Sequence, residues 1–203
     1  MVSARFIAVL ALVGLVSCGA RAPETERAEL GDFRLGYNIV QARDVERGPF
    51  SRAATAAELT GAIEAAVERR LARYDGDGLY HIGVAIAAYV LAQPGLPVIY
   101  TPRSVLFLDV NVYDNATGQR LNSEPHRITV FEGMRNATPI IGSGLVRGKD
   151  EQLANLAEEG ARAIEAWLAR NPDWFVPDPA SPRVEFDREA LDARAQAAIS
   201  ALE

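Results

Sequence analysis

Leu79-Tyr80-His81-Ile82-Gly83-Val84-Ala85-Ile86-Ala87-Ala88-Tyr89-Val90-Leu91 is almost wholly apolar, and its reading decides the fold. Alternation along it puts Tyr80, Ile82, Val84 and Ile86 on one side and the small residues Gly83, Ala85 and Ala87 on the other, the period of a β-strand. A strand apolar on both sides is one that other elements cover, and small residues would let a helix approach closely.

Working upstream, Asp75-Gly76-Asp77-Gly78 stops a helix. Thr55 followed three residues later by Glu58 carries a capping-box signature, and Leu59, Ile63, Ala66, Val67, Leu71 and Tyr74 fall along one helical stripe. Glu64, Glu68 and Arg69 fall on the opposite, solvated face. The two Asp and two Gly lack the further regularly spaced oxygen donors of a calcium loop, so a left-handed C-cap and turn is expected. Before this helix, Gly48-Pro49 breaks the segment Asp44 to Arg52, and Phe33, Leu35, Tyr37 and Ile39 alternate with polar or small residues as a half-buried strand.

Downstream, Gln93-Pro94-Gly95-Leu96-Pro97 turns the chain. A strand from Ser104 to Tyr113 follows, with Leu106, Leu108, Val110 and Val112 on one side and Asp109 and Asn111 on the other, so the sheet has a wet patch. Asp114-Asn115-Ala116-Thr117-Gly118 reads as a hairpin turn. The returning strand runs from Gln119, interrupted at Pro125, to Phe131, and Pro139-Ile140-Ile141-Gly142 offers a short further one. A second helix begins with Asp150 as its expected N-cap and carries Leu153, Leu156, Ala157, Ile164, Trp167 and Leu168 on one stripe, ending near Asn171-Pro172. The order predicts an α+β domain over residues 31–175: an antiparallel sheet of four to five strands with two helices on one face. Residues 176–203 read as a proline-containing linker, with Pro177, Pro179 and Pro182, and a weakly amphipathic C-terminal helix from Arg188 to Leu202.

The N-terminus is of another kind. Met1 to Arg5 carries one positive charge, and Phe6 to Val16 is a run of about eleven residues without a polar side chain, the length of a signal-peptide core and short of a membrane span. Leu15-Val16-Ser17-Cys18-Gly19 follows, and Cys18 is the only cysteine of the chain. A lone thiol carried into an oxidising compartment invites intermolecular pairing, which acylation would prevent. These residues resemble the lipobox of bacterial lipoproteins. The resemblance implies a signal peptide over 1–17, a lipid on Cys18 and a flexible tether over 18–30, in which the dozen residues after Cys18 reach roughly 20 Å. Gly19, where an Asp would resemble an inner-membrane retention signal, favours the outer membrane.

Removal of residues 1–17 from the 203 leaves 186, enough for one good core. Hydrophobic residues make up 49% and charged ones 24%, the balance of a folded chain. The formal charge of −6, which becomes −7 on loss of Arg5, gives no electrostatic reason to expect nucleic acid or anionic lipid as partner.

Motifs with chemistry are scarce. Gly142-Ser143-Gly144 is flanked by Ile141 and Leu145, not by the glycines of a G-x-S-x-G elbow, and reads as a bend. The Gly144 to Asp150 segment precedes a helix but lacks phosphate-loop spacing. His81 and His126, the only histidines, have no ligand partner at helical spacing, and no metal or cofactor is expected. Glu158-Glu159 and Glu64 with Glu68 read as solvated helix faces. Trp167, Trp174 and Phe175, beside Asn171-Pro172, read as a clamp holding the exiting chain to the core. Pro94, Pro97 and Pro102 around Tyr100 make a rigid, partly apolar loop, the first candidate for a contact surface.

Taken with the lipobox, Ala57-Glu58-Leu59-Thr60, Gly78-Leu79-Tyr80, Pro94-Gly95-Leu96-Pro97 and Gly142-Ser143-Gly144, the chain resembles the uncharacterised lipoproteins of alphaproteobacterial envelopes, a resemblance that implies no activity. The leading expectation is a membrane-anchored, periplasm-facing, non-enzymatic binding or envelope-assembly module that meets a protein partner through an exposed sheet edge or the proline loop. Two alternatives stand beside it. One is a carrier holding a lipid or glycan fragment between helices and sheet, and the other is a periplasmic hydrolase, which would need a serine, a histidine and a carboxylate to converge.

Overall fold

A computed structural model describes residues 27–93, 103–132, 148–180 and 182–200. Cys18, the expected signal peptide over 1–17, the expected loop of Pro94, Pro97, Tyr100 and Pro102, the Pro139–Gly142 segment and the expected Gly142-Ser143-Gly144 bend lie outside the described residues. The chain forms β1 (Arg34–Gln41), β2 (Glu46–Arg47), α1 (Ala56–Leu71), β3 (Leu79–Val90), β4 (Val105–Asp114), β5 (His126–Phe131), α2 (Lys149–Ala169), a 3-10 turn (Pro172–Phe175) and α3 (Arg188–Ser200).

The sheet order is β1-β3-β4-β5, with β2 also on β3. The Leu79 segment is thus a central strand. β4 pairs antiparallel along almost its whole length, from Tyr80↔Asp114 to Val90↔Val105, and β5 pairs antiparallel with β4. β1 and β2 run parallel to β3, because α1 forms the crossover that a parallel connection needs. The α+β architecture is as expected, and its sheet is mixed, mostly antiparallel.

Both long helices lie on one face. Thr55 caps α1 through a complete capping box, its Oγ1 accepting the Glu58 N–H at 3.2 Å while Glu58 Oε2 accepts the Thr55 N–H at 2.8 Å. Leu59, Ile63, Ala66, Val67 and Leu71 of α1 and Leu156, Ala157, Ile164 and Leu168 of α2 are buried with Ile82, Val84, Leu106, Leu108, Val110 and Val112 of the sheet. α2 starts one residue before Asp150: Gly148 is the N-cap, without a side-chain cap bond, and Asp150 sits in the first turn, where its charge suits the helix dipole.

Besides the N-cap, four expectations need correction. Ile39 does not share the buried side of Leu35, because a bulge between Leu35 and Asn38 shifts the register and turns Asn38 inward and Ile39 outward. Gly83, Ala85 and Ala87 face away from the helices, and the close helix approach is made by Gly160 of α2, where an added Cβ would stand 3.2 Å from Leu108 Cδ1. Asp75–Gly78 holds no left-handed cap. α1 closes on Ala72 in right-handed geometry, and a Cβ at Gly76 or Gly78 would lie 2.5 Å from the Asp32 backbone. The returning strand is shorter than expected: a single bridge joins Tyr113 and Arg120, and β5 begins only after Pro125. Across the gap the buried Asn122 side chain does the work of a strand, accepting the Val112 N–H at 3.0 Å and donating to Val110 O at 3.2 Å.

The clamp forms as expected. Trp167 and Phe175 are buried, Phe175 packs edge-on against Phe33 and Tyr80, and the Asp32 N–H donates to Phe175 O at 2.8 Å. The hairpin turn also forms, with Gly118 at φ 68°.

Candidate functional site

No described helix packs on the second face of the sheet. The alternation that buries Leu106, Leu108 and Val110 points Phe107, Asp109 and Asn111 of β4 the other way, where Phe107 and Asp109 lie across from Thr129 and Arg127 of β5, and all three lie across from Ala88, Ala85 and Gly83 of β3. Asp109 and Arg127 close a two-pronged ion pair across the strands, Nε to Oδ1 at 2.5 Å and Nη2 to Oδ2 at 2.7 Å. This is the wet patch the sequence indicates. Around it the face is apolar, with Ile39, Tyr113 and Phe131 exposed and Val105 and Phe107 half-buried.

At the hairpin end of this face Tyr37, Ile39, His81, Tyr113, Asp114, Asn115 and Gly118 line a cleft of about 300 Å³. His81 is fixed there by two bonds that set its tautomer. Nδ1 accepts the Tyr37 N–H at 2.8 Å, freed from the ladder by the bulge, and Nε2 faces Asn115 Oδ1 at 3.1 Å, a contact that requires the proton on Nε2. Phe186, from the segment leading to α3, meets the Tyr37 ring edge-on at 5.2 Å between centroids. Beyond the rim, a second cleft of about 240 Å³ holds Asp32, Asp77, Asp114 and Asp178 with Tyr80 and Trp174. Burial, reinforced by Asp114 and Asp32, pushes the Tyr80 hydroxyl up to about 12. Arg183 binds Asp75 at 2.5 Å and Asp77 at 3.3 Å, and its bond holds Asp75 below the usual carboxylate range.

His126 stacks flat on Trp167, 4.4 Å between centroids and 7° between planes, and burial, then Arg170, lowers its pKa. No hydrogen bond among the described residues joins either histidine to a serine. Ser51 and Ser104 instead accept the N–H groups of Leu91 and Ala92. Three surface clefts can be described: the two above and one of about 480 Å³ beside α3, lined by Leu35, Phe186, Arg188, Glu189 and Asp192. The third lies between β1 and α3, and none of the three is lined by a residue of α1 or α2.

Two features escape a sequence reading. Glu165 of α2, 2% exposed, receives Arg70 Nε at 2.7 Å, Arg73 Nη2 at 2.6 Å and the Tyr74 hydroxyl at 2.6 Å. Burial works to raise its carboxyl, but the bonds from Tyr74, Arg73 and Arg70 outweigh it and hold the pKa low. Phe50 is 79% exposed and holds a positive φ of 56°. Its signal in the sequence is Pro49: proline favours the second position of a turn, and in type II geometry the next residue takes positive φ.

No protein-family model matches the chain, and no curated protein matches it. Solved structures similar to it include a candidate lipoprotein from Caulobacter crescentus, at 16% identity over 66% of this chain and 94% of that one, with a TM-score of 0.37. A Xanthomonas campestris protein described with the family DUF330 is 10% identical over 71% of this chain and 91% of its own, with a TM-score of 0.40. A minor lipoprotein from Acinetobacter baumannii is 12% identical over 66% and 93%, with a TM-score of 0.29. The likeness extends to three bacterial genera. It is a distant one, from which no residue role or activity is transferred.

Proposed function

We propose that the chain is a lipid-anchored envelope protein whose α+β domain is a non-enzymatic binding module, contacting a protein partner through the open face of its sheet. The carrying observation is the composition of that face. Packing explains why Leu106, Leu108, Val110, Ile128 and Val130 are apolar, since they are buried under the helices. It does not explain Phe131 at 62% exposure or Ile39 at 53%, which contribute little to the core and share their face with an ion pair able to set register with a partner. The address rests on Leu15-Val16-Ser17-Cys18, and the outer membrane on Gly19.

Two measurements test this reading. A photo-crosslinking residue at Phe131 or Thr129 should capture a discrete envelope protein in living cells, while the same residue at Glu64, on the exposed face of α1, should not. Equal capture at both positions, or none at either, would discard the sheet face as the contact surface. Cys18→Ser should abolish lipid labelling and release the protein from membranes; persistence of label would refute the anchor.

A further inference from the structure

Phe50 combines two costs that folding alone does not repay. Its ring is 79% exposed, and its φ of 56° lies where an L residue with a Cβ is strained. The backbone around it is held on both sides: the Gly48 N–H donates to Tyr89 O at 2.9 Å, the Arg52 N–H to Leu91 O at 2.8 Å, and the Leu91 N–H to Ser51 Oγ at 2.8 Å. These bonds anchor the turn to the end of β3, so that Pro49 and Phe50 form a fixed knuckle with an aromatic tip.

The cleft of Tyr37, Ile39, His81 and Tyr113 lies at the opposite end of the same strand. His81 and the anchoring residues Tyr89 and Leu91 are eight to ten residues apart, roughly 30 Å at about 3.3 Å per residue, so the ring cannot reach the cleft of its own chain. The two are complementary. The cleft has aromatic and aliphatic walls, about 300 Å³ of space, and at its rim Asp114, whose carboxylate is met only by the neutral Ala116 N–H and Thr117 hydroxyl among the hydrogen bonds described. The exposed Arg47 stands beside the knuckle.

We infer that Phe50 of one copy docks in the Tyr37–Ile39–His81–Tyr113 cleft of a second copy of this chain, forming a head-to-tail contact. This rests on the reading of the open face as a contact surface and names the occupant of its hairpin end. A head-to-tail contact repeats from copy to copy and closes into a ring or extends as a filament. A single aromatic anchor binds weakly against the entropy of association, so confinement by the lipid anchor, which raises the effective concentration, belongs to the device.

The test uses the full chain in its membrane. Two differently tagged copies, one Pro49→Cys beside the intact ring and the other Ala116→Cys on the hairpin that borders the cleft, are co-expressed and the envelope is oxidised. Both positions are exposed, so both variants should keep the native melting curve, and Pro49→Cys with Thr117→Cys gives a second pairing. Mixed disulfides should exceed like-with-like ones at least tenfold, and the double variant Pro49→Cys/Ala116→Cys should give a ladder of multiples. Like-with-like pairs in equal amount, disulfides to another protein only, or no disulfide in either pairing would overturn the inference. Capture of a partner at Phe131 without a mixed disulfide would sink it and leave the sheet-face reading standing. The reverse result would separate the two in the other direction.

Discussion

A Cβ at Gly36 would stand 2.4 Å from Nδ1 and 2.6 Å from Cε1 of His81, inside any tolerable contact. The imidazole is itself bonded to the Tyr37 N–H and faces Asn115, so it cannot swing away without leaving the bulge donor unpaired. Gly36→Ala should therefore destabilise the fold by about 2 kcal/mol, read as a lower midpoint in urea unfolding. His81→Ala in the same chain should recover part of the loss, a coupling that a double-mutant cycle measures. Phe50 predicts the opposite sign. Phe50→Gly relieves the left-handed strain, roughly 1 kcal/mol, and should raise Tm by about 2–4 °C in a domain of this size, while removing mixed disulfides between copies carrying cysteines at Pro49 and at Ala116. A drop in Tm would mean the ring supports its own fold.

At the level of elements, α1 and α2 are joined by an apolar stripe, by the surface pairs Arg69–Glu158 and Lys149–Glu58, and by one buried carboxylate. Arg70, whose side chain is 9% exposed, and Arg73 converge on Glu165, whose side chain is 3% exposed. Glu165→Gln removes the charge that both cations face and should cost about 3 kcal/mol, because the guanidiniums stay buried without a counter-charge. Since the folded state holds the Glu165 carboxyl below its ordinary 4.5, the unfolded chain takes up the proton first as pH falls. Its contribution is complete above about pH 4.5 and is lost as pH drops from there through the folded value. Tm measured from pH 7 to pH 3 should accordingly fall more steeply in the parent than in Glu165→Gln; parallel curves would show that the cluster carries no linked proton. The stripes of both helices were legible in the sequence because period 3.6 is local. Glu165 was not, for its partners lie on another helix. Alternation located β3, β4 and the wet patch, but misassigned Ile39, because a bulge inverts the faces and leaves no local mark. The part of the candidate surface legible in advance was Asp109 with Asn111; the cleft needs β1, β3 and the hairpin together.

For the molecule as a whole, the segment after the 3-10 turn behaves as a strap where its three prolines suggest a linker. Arg34 Nη2 donates to Val184 O at 2.6 Å, Arg183 binds Asp75 and Asp77, Phe186 covers the Tyr37 ring, and Arg188 reaches Glu68 at 3.0 Å as well as the Gly36 carbonyl. Apart from the Phe186–Tyr37 ring contact these are polar and largely exposed, so salt weakens them and they add little to global stability. Their effect is local: they hold down β1 at its bulge, the point where the ladder is interrupted and where the cleft begins. Local opening of this kind appears in amide exchange separately from global unfolding. Deleting residues 183–203 should leave the slowly exchanging amides of α1, from Ile63 to Val67, nearly unchanged, because their packing against α2 and the sheet does not involve the strap. The Tyr37 amide, bonded to a His81 ring that Phe186 flanks, should exchange at least tenfold faster. Uniform acceleration across α1 and β1 would make the strap part of the global fold. No change at Tyr37 would show that the bulge and His81 hold the cleft alone, leaving a surface shaped before any second molecule arrives.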